Sequence, residues 1–573
     1  MRITAFVRLA TAATLLTLSA TACSDEDETI PVEPAPTLVA PTGVTTTTTS
    51  TAVTVSWQSV TGATGYVVQR AAGTSGGTFV QVGDVVTGTT LTDNAVSAAT
   101  DYRYRVGAVR SGTSGPFSGE VVARTTASPV QGPRVRRITG NITASQTWST
   151  DSTYVLSGFI KVQNGATLTI QPGVTVVGDT TVPGSSLWIL RGARINAVGT
   201  AAQPIVFTSQ RAAGSRSPGD WGGLVIVGNG IINRSGTTIT TEGGTAGVAE
   251  NYAGGTDNND NSGTLRYVRI EFAGFDVSNG AGQELNSLSM YAVGRGTTLE
   301  YVQTLSGLDD SFEWWGGAVD GRYLVSYESG DDHFDWTEGY VGRNQFMIAL
   351  QTQRLVPRTG AGVFSSDPRG FEGDGCDPGT SGCVVTATGT STPYSMPVFA
   401  NFTMVGTGPL GGFPADGNGA TLRRGTGGTF RNGLLARWRG IGLNIRDAWT
   451  DSMRVKDSLS IRGLVLAENG FNFDTTGAGN NGLGTPDKFA GSNVRTATAA
   501  AALLTSINPT SLDWRPIAGA ANPLTSGAET TPAARVAGYF TAGGGWANTS
   551  YIGAVEPGAA SPWYAGWTRY AIN

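Results

Sequence analysis

The chain has 573 residues and a formal net charge of −5, and charged residues make up only 14% of it, against roughly 25% in ordinary soluble domains. This balance excludes a basic surface of the kind that follows a nucleic-acid backbone. A hydrophobic content of 39% with 13 Trp also excludes disorder driven by charge, and the length indicates more than one domain.

Residues 1–22 are predicted to be an export signal. Arg2 and Arg8 supply a short basic region, and the apolar stretch from Leu9 to Leu18 is too short to span a bilayer. Small residues then lead into Cys23 in the sequence Ala-Thr-Ala-Cys. This ending resembles the lipobox of bacterial lipoproteins, which implies that Cys23 is lipidated and anchors the protein to a membrane. A secretory signal with an incidental cysteine is the alternative.

Residues 23–38 are predicted to form a flexible tether that is acidic at first and then rich in Pro. The acidic run at 24–28 resembles the surface-export signal of lipoproteins in some outer-membrane bacteria. That resemblance implies an outer-membrane location facing the cell exterior, with a periplasm-facing protein as the alternative.

Residues 39–126 contain short alternating runs separated by turn residues, which is the pattern of an all-β sandwich. The order of Trp57, Tyr66, Leu91 and Tyr102 resembles the fibronectin type III family. The resemblance implies that Trp57 is the core tryptophan and Tyr102 the corner tyrosine, and that the domain is a spacer or adhesive module. Residues 127–134 are predicted to be a linker.

From residue 135 the pattern becomes one of short β-rich runs separated by glycine, and a 22-residue period is visible between 287 and 352. The period predicts a parallel β-helix, because one coil cannot bury its apolar face alone but stacked coils share a core. The positions predicted to be in register are Met290, Phe312 and Phe334; Ala292, Trp314 and Trp336; Thr297, Val319 and Val341; and Val302, Leu324 and Phe346.

Three segments resemble the right-handed parallel β-helix (pectin-lyase-like) superfamily: Asn164 to Gly173, Ala193 to Thr200 and Leu512 to Gly519. The resemblance implies a β-helix over 135–530, with residues 531–573 as a C-terminal segment that caps the end of the solenoid. The predicted fold class is therefore all-β, a small fibronectin type III-like sandwich followed by a right-handed parallel β-helix. This fold supports many activities and by itself indicates none.

Cys376 and Cys383 bracket a short loop. In an oxidising compartment a disulfide is the simplest interpretation. A metal site would need further soft ligands, and the surrounding sequence offers none.

An acidic motif is repeated in consecutive coils, as Asp309 to Trp314 and again as Asp331 to Trp336. In a strand with its aromatic side chains inward, Glu313 faces outward and lies about 4.8 Å from the strand that carries Asp335. We call the six carboxylates the acidic ladder and predict that they form a metal site: Asp309, Asp310, Glu313, Asp331, Asp332 and Asp335.

Three roles for the acidic ladder remain open. It could bind a hard cation such as calcium, which takes roughly 6–8 oxygen ligands. It could act in catalysis, with Glu313 and Asp335 as a carboxylate pair at about 5 Å and His333 as a local partner of the Asp residues. It could also consist of corner caps that accept backbone N–H groups. A second acidic cluster could fold back and complete a cation site; it contains Asp367, Glu372, Asp374 and Asp377.

The known enzymes of this fold match the sequence poorly. The Gly-His-Gly and Arg-Ile-Lys segments of polygalacturonases are missing from the sequence. Polysaccharide lyases of this fold commonly use Lys or Arg as a base near calcium, and the candidates here lack a distinctive motif: Arg322, Arg343, Arg354 and Arg369.

The sequence therefore favours a surface-exposed lipoprotein whose β-helix binds an extracellular glycan or another surface component, with calcium as the candidate cofactor. The alternative is a calcium-dependent polysaccharide lyase or glycoside hydrolase that acts at Glu313 and Asp335. The enzyme question stays open and leans toward no activity. The expected partners are a membrane, through Cys23, and a polysaccharide or surface protein, but no nucleic acid.

Overall fold

A computed structural model describes residues 37–127, 134–244, 250–278, 280, 282–386, 389–408, 417–474, 483–540 and 545–571. The predicted signal peptide, the lipidation site Cys23 and nearly all of the tether and linker lie outside these ranges. The chain divides into two compact units, Met1–Gly132 and Pro133–Asn573. Within the described ranges, no helix combines the length and apolar character needed to cross a membrane.

The first unit is an antiparallel sandwich of two small sheets. Its strands are β1 (Thr45–Thr48), β2 (Val53–Ser56), β3 (Gly65–Ala72), β4 (Val80–Gln81), β5 (Thr90–Asp93), β6 (Asp101–Arg110), β7 (Thr113–Phe117) and β8 (Val121–Arg124). One sheet has the order β1-β2-β5, and the other has the order β4-β3-β6-β7 with β8 also paired to β6.

The core of the sandwich contains the two aromatic residues predicted for it. Trp57 packs against Tyr66 with ring centroids 5.4 Å apart. The hydroxyl of Tyr102 accepts a hydrogen bond from the backbone N–H of Ser97 at 2.8 Å. This contact to a residue a few positions upstream is the geometry of a tyrosine corner, so the expected role of Tyr102 is confirmed.

The second unit is a solenoid of parallel strands. Its first strands are β9 (Arg134–Ile138), β10 (Gln146–Trp148), β11 (Ser152–Leu156), β12 (Phe159–Val162), β13 (Thr167–Ile170), β14 (Thr175–Gly178), β15 (Ser186–Ile189), β16 (Arg194–Val198), β17 (Ile205–Ser209) and β18 (Gly223–Val227). The middle strands are β19 (Gly263–Glu271), β20 (Leu288–Tyr291), β21 (Thr298–Leu305), β22 (Phe312–Trp315), β23 (Asp320–Tyr327), β24 (Phe334–Thr337), β25 (Arg343–Leu350) and β26 (Phe371–Asp374).

The chain then forms the short pair β27 (Val385–Thr386) and β28 (Gly389–Thr390), and the last coils contain β29 (Val398–Val405), β30 (Ala420–Arg423), β31 (Gly428–Ala436), β32 (Ile441–Ile445), β33 (Leu459–Ala467), β34 (Phe471–Phe473) and β35 (Val494–Ala497). The antiparallel strands β36 (Leu504–Ser506) and β37 (Asp513–Pro516) follow. One α-helix, α1 (Ala448–Val455), and three 3₁₀ segments, Pro486–Phe489, Ala500–Ala502 and Ala534–Phe540, complete the described elements.

Each coil contributes one strand to a sheet that we call the ladder sheet, with the order β12-β15-β18-β20-β22-β24-β26-β30-β32-β34. From β19 onward the rest of each coil is one long strand in a second sheet, the long sheet. The first half of β19 pairs with β16 and its second half with β17. The long strands therefore continue two faces that the early coils build from separate strands.

A column of left-handed residues lies where each long strand changes face. Tyr267, Tyr301, Tyr323 and Phe346 have φ values of 50°, 54°, 60° and 62°. Their rings stack at centroid distances of 4.4, 4.4 and 5.2 Å. Left-handed φ is strained for an aromatic residue, and the column of stacked rings offsets part of that cost.

The predicted 22-residue period is correct between β21 and β23, where Val302 pairs with Leu324. Two other register predictions are wrong. Leu324 pairs with Met347 rather than with Phe346, because Phe346 is the left-handed corner residue of that coil. In the ladder sheet, Met290 pairs with Trp314 rather than with Phe312.

The second error has a similar cause, since the coil between β20 and β22 is two residues longer than the predicted period. Leu288 therefore pairs with Phe312, and Ala292 lies beyond the end of β20 with a φ of 52°. Coil length varies at the corners, which a fixed period cannot represent.

The C-terminal segment does not cap the end of the solenoid, contrary to the prediction. Residues 545–571 lie along the outer face of the long sheet, where Trp567 packs edge-on against Tyr267 and Tyr301. Further along, the Gln345 side chain donates a hydrogen bond to the carbonyl of Ala547 at 2.7 Å. The reason is that this face exposes a row of apolar side chains, Val325, Ile348, Leu434 and Val465, which need a cover.

The predicted disulfide is present. Cys376 and Cys383 are bonded, with their Cα atoms 5.5 Å apart. The bond closes the loop that follows β26.

Candidate functional site

The outer face of the ladder sheet carries three carboxylates in consecutive coils. Glu313 on β22 pairs with Asp335 on β24, as the repeated motif predicted. Asp335 pairs in turn with Glu372 on β26. The row ends on neutral side chains, Ser289 on one side and Thr421 on the other.

The aromatic residues of the motif place these carboxylates outside. Phe312, Trp314, Phe334 and Trp336 are fully buried in the solenoid core, and the two Phe rings stack at 5.2 Å. Because successive side chains of a strand point to opposite faces, the residue between each aromatic pair must face outward.

The corner before these strands holds a second column of polar side chains. Asn286 accepts a hydrogen bond from the N–H of Asp310 at 3.0 Å, and Asp310 accepts one from the N–H of Asp332 at 2.8 Å. Asp310 therefore acts as a corner cap, as one of the three predicted roles requires, and this does not exclude a second role for it. In the next coil the corresponding position is Arg369, whose carbonyl accepts the N–H of His333.

Arg369 lies at one end of the acidic ladder and neutralises the carboxylates there. Its guanidinium forms ion pairs with Asp332 (3.1 Å), Asp367 and Glu372, and its side chain is only 5% exposed. Arg423 pairs with Glu372 as well. A buried cation with several carboxylate partners neutralises this end of the row.

The second acidic cluster completes the ladder only in part. Glu372 is the next carboxylate of the row, whereas Asp374 and Asp377 pair with Arg424, the latter at 3.0 Å. Asp367 is connected only through Arg369. The expectation that all four residues fold back over the ladder is therefore wrong, since Arg424 in the next coil binds Asp374 and Asp377, and Arg369 binds Asp367.

The insertions on either side of β19 bring further carboxylates to the ladder. Burial raises the pKa of Glu313, and the charge of Glu242 is the next largest cause of the rise. Burial and then Glu284 raise the pKa of Glu242 to about 8. Sequence reasoning missed Glu242 and Glu284, because they lie in irregular segments that have no register with the repeated motif.

Burial and mutual repulsion make ionisation of the ladder costly. The pKa values of Asp309, Asp310, Asp332 and Asp335 are raised well above the usual range, first by burial and then by neighbouring carboxylates. The pKa of Asp331 is also raised by burial, with Arg369 opposing the change. The ladder therefore favours protons or a cation over a set of free carboxylates.

Three groups of carboxylates could hold a metal ion, each with ligand atoms within 4.8 Å of one another. The groups are Asp309, Asp310 and Asp331; Asp310, Glu313 and Asp335; and Asp332, Asp335 and Glu372. The Oδ1 atoms of Asp331, Asp332 and Asp335 are buried and have no hydrogen-bond partner among the described residues. Buried oxygen atoms without a donor are what a hard cation requires.

Residues 140–506 match the family described as the pectate-lyase like beta helix domain. The chain belongs to this family. The predicted fold class is thereby confirmed, and no curated protein matches the chain.

Solved fibronectin type III structures are similar to a part of the chain. A Fn3-like protein from Clostridium thermocellum is 28% identical, over 17% of this chain and 98% of that one, with a TM-score of 0.15. The FN5 domain of Drosophila Lar is 23% identical, over 16% and 97%, with a TM-score of 0.14. The fn3 domain of human contactin 1 is 23% identical, over 19% and 100%, with a TM-score of 0.15.

In this pectate-lyase like β-helix, His333 is not a partner of the ladder carboxylates, and that prediction is wrong. Its Nδ1 atom lies 2.5 Å from Ser326 Oγ, and its ring packs edge-on against Trp438 inside the solenoid. Burial lowers the pKa of His333 to about 3. The reason is that β24 begins at Phe334, so residue 333 belongs to the corner, where strand alternation does not apply.

Of the four arginines considered as a lyase base, only Arg369 contacts the ladder, and there it is held in ion pairs. Arg322 and Arg343 lie on the long sheet, paired with Glu300 and Asp320. Arg354 lies over the ring of Phe364. Among these four candidates, the arginine at the ladder is therefore already engaged in ion pairs and is not available as a free base.

One aromatic side chain outside the core lies beside the ladder. Trp315 follows Glu313 by two residues and faces the same side of β22. It is partly buried and stacks on Tyr291 with ring centroids 5.4 Å apart. Tyr291 is itself buried, so the apolar surface next to the carboxylates comes from the partly exposed ring of Trp315.

Proposed function

We propose that this protein is a surface-exposed or outer-membrane lipoprotein whose β-helix binds an extracellular glycan or another surface component. A hard divalent cation, with calcium as the first candidate, is held by the acidic ladder and takes part in that binding. The observation that carries the proposal is the convergence of buried carboxylates, among which the Oδ1 atoms of Asp331, Asp332 and Asp335 lack hydrogen-bond donors.

The arrangement of charges supports three of the carboxylates as ligands of the proposed cation. Arg369 already neutralises Asp332 and Glu372. Among the described residues, no Lys or Arg forms an ion pair with Asp310, Glu313 or Asp335. These three residues are therefore the preferred ligands, and the charge of Glu242, from the insertion, acts on Glu313.

The ligand class follows from what surrounds the cation. A carboxylate or hydroxyl oxygen of a sugar can complete the coordination of calcium, which takes roughly 6–8 oxygens. The partly exposed ring of Trp315, which stacks on the buried Tyr291, can pack against the apolar face of a sugar ring. Together these features favour an acidic polysaccharide over a neutral one.

Binding can be tested with immobilised acidic and neutral polysaccharides. We expect the wild-type protein to be retained on an acidic polysaccharide in calcium and released by EDTA, because the cation joins protein and sugar. The double variant Glu313→Gln with Asp335→Asn should lose retention. Glu300→Gln is the matched control, since Glu300 is an outward carboxylate of the long sheet that pairs with Arg266 and Arg322. Equal retention of wild type and double variant would exclude the ladder as the binding site.

The second candidate is a calcium-dependent polysaccharide lyase or glycoside hydrolase. It is favoured by one observation, the direct pairing of Glu313 with Asp335, since retaining glycosidases use carboxylates about 5–5.5 Å apart. The same panel distinguishes the two functions. New reducing ends or unsaturated products that disappear in the Glu313→Gln variant would establish the enzyme.

The lipid anchor is tested separately from the ladder. Cys23→Ala should move the protein from the membrane fraction to the soluble fraction, because the acyl chains at Cys23 supply the apolar surface that enters the bilayer. Cys376→Ala with Cys383→Ala is the control for loss of cysteine. Unchanged partitioning of the Cys23→Ala variant would remove the anchor from the proposal.

A further inference from the structure

A second charged site lies near the C-terminal coils, where α1 and the 3₁₀ segment Pro486–Phe489 lie beside β33. A cavity of about 320 Å³ opens there. Its lining includes Arg454, Asp457, Ser460, Arg462, Lys488 and Phe489. We call this cavity the basic pocket. Its volume lies at the lower end of the roughly 300–1,000 Å³ of ligand pockets and suits a sugar-sized molecule.

Three elements each contribute one cation to the basic pocket. Arg454 comes from the last turn of α1, Arg462 from β33 and Lys488 from the 3₁₀ segment. On β33 the core residues Leu459 and Ile461 alternate with Ser460 and Arg462. The alternation directs the Ser460 and Arg462 side chains to the outer face of the sheet.

The two arginines are held in place before any ligand arrives. Arg454 donates to the carbonyl of Lys488 at 3.1 Å and lies over the buried ring of Phe489. Arg462 Nε donates to Ser460 Oγ at 3.1 Å. Side chains held in this way lose less conformational entropy on binding.

The carboxylates nearby do not match the cations in number. Asp451 is shared by Arg454 at 2.8 Å and Lys488 at 3.9 Å. Asp457 pairs with Arg462 at 3.3 Å, where both side chains are partly exposed. Exposed pairs of this kind are weak, so an incoming anion can compete for Arg462 and Lys488.

A fourth cation, Arg535, lies beside the basic pocket. It donates to the carbonyl of Asp457 and, at 2.7 Å, to Thr429 Oγ1. Burial lowers the pKa of Arg535 below its usual value, with Asp457 opposing the change and Arg462 adding to it. The nearby carboxylates are Asp451, Asp457 and the exposed Asp487. The four cations therefore exceed them by one.

We propose that the basic pocket binds a phosphate or sulfate ester carried by a sugar-sized molecule. Guanidinium groups present paired donors that fit the oxygens of such esters, and Lys488 adds a point charge. The remaining volume accommodates the sugar. This site does not rest on the acidic ladder, which has the opposite charge and lies on the ladder sheet.

Isothermal titration of the full chain with glucose 6-phosphate and glucose 6-sulfate tests the proposal, with glucose and inorganic phosphate as comparison ligands. We expect binding of an ester and none of glucose. Arg462→Gln and Lys488→Gln should each weaken ester binding about tenfold or more, because each removes a hydrogen bond to a charged group. Lys456→Gln is the matched control, since Lys456 is an exposed neighbour outside the pocket lining.

Three outcomes would overturn the proposal. The first is no heat with either ester at about 10 mM, ten times a millimolar Kd. The second is an equal loss of affinity in Lys456→Gln, which would indicate a non-specific charge effect. The third is inorganic phosphate binding as tightly as the esters, which would exclude the sugar. The Glu313→Gln variant should bind the esters like wild type, which separates failure here from failure of the ladder proposal.

Discussion

Calcium should raise the melting temperature of the wild-type protein by several degrees, and EDTA should reverse the change. A ligand present at one hundred times its Kd stabilises the folded state by about 2.7 kcal/mol. The double variant Glu313→Gln with Asp335→Asn should lose this response, because it removes two of the three preferred ligands. Differential scanning calorimetry at several calcium concentrations measures the shift.

The same experiment separates loss of binding from loss of folding. In EDTA the double variant should melt no lower than wild type, since each amide replaces a carboxyl group that is costly to ionise in place. Glu300→Gln should keep the calcium response of wild type. If the double variant also responds to calcium, the cation is held elsewhere.

Arg369→Gln should lower the free energy of unfolding by about 3–5 kcal/mol in EDTA at neutral pH, which is the usual cost of removing one partner from a buried ion pair. The substitution leaves Asp332 and Glu372 buried without this cation. Arg136→Gln is the control, because Arg136 forms an exposed pair with Asp151 at 3.8 Å and should cost about 1 kcal/mol or less. Urea unfolding of both variants measures the difference.

The loss in Arg369→Gln should depend on pH. The pKa of Glu372 is raised by burial to about 7, with Arg369 and Arg423 opposing the rise and Asp374 and Asp331 adding to it. Without Arg369 this pKa rises further. A carboxyl group whose pKa is higher in the folded than in the unfolded state lowers the free energy of unfolding as the pH rises through the folded-state pKa. The deficit should therefore be larger at pH 8 than at pH 5, and a deficit independent of pH would contradict this account.

The repeat allowed the fold to be predicted from sequence. The pairing of Glu313 with Asp335 follows from a duplicated motif in which Phe and Trp alternate with acidic residues, because burial of the aromatic rings determines the face of each neighbour. Register failed only where coil length changed. Phe346 was predicted to lie in the core and is instead a corner residue with positive φ.

The site was less predictable for two physical reasons. His333 and Ser311 precede the strands, and at a corner the backbone turns their side chains toward Ser326 inside the solenoid. Glu242 reaches the ladder from an irregular insertion, and Arg369 from a loop. Contacts that depend on loop conformation have no periodic signal in the sequence.

The C-terminal segment alters how the solenoid comes apart. Coils that contact only their neighbours contribute to stability almost independently, and terminal coils can fray alone. Residues 545–571 instead contact several coils, through Trp567 on Tyr267, Gln345 on Ala547 and Asn401 on Thr549. Fraying of any one of these coils requires the segment to detach, which joins them into a single cooperative unit. Because the segment follows the solenoid in the chain, all of these coils emerge during synthesis before the element that couples them.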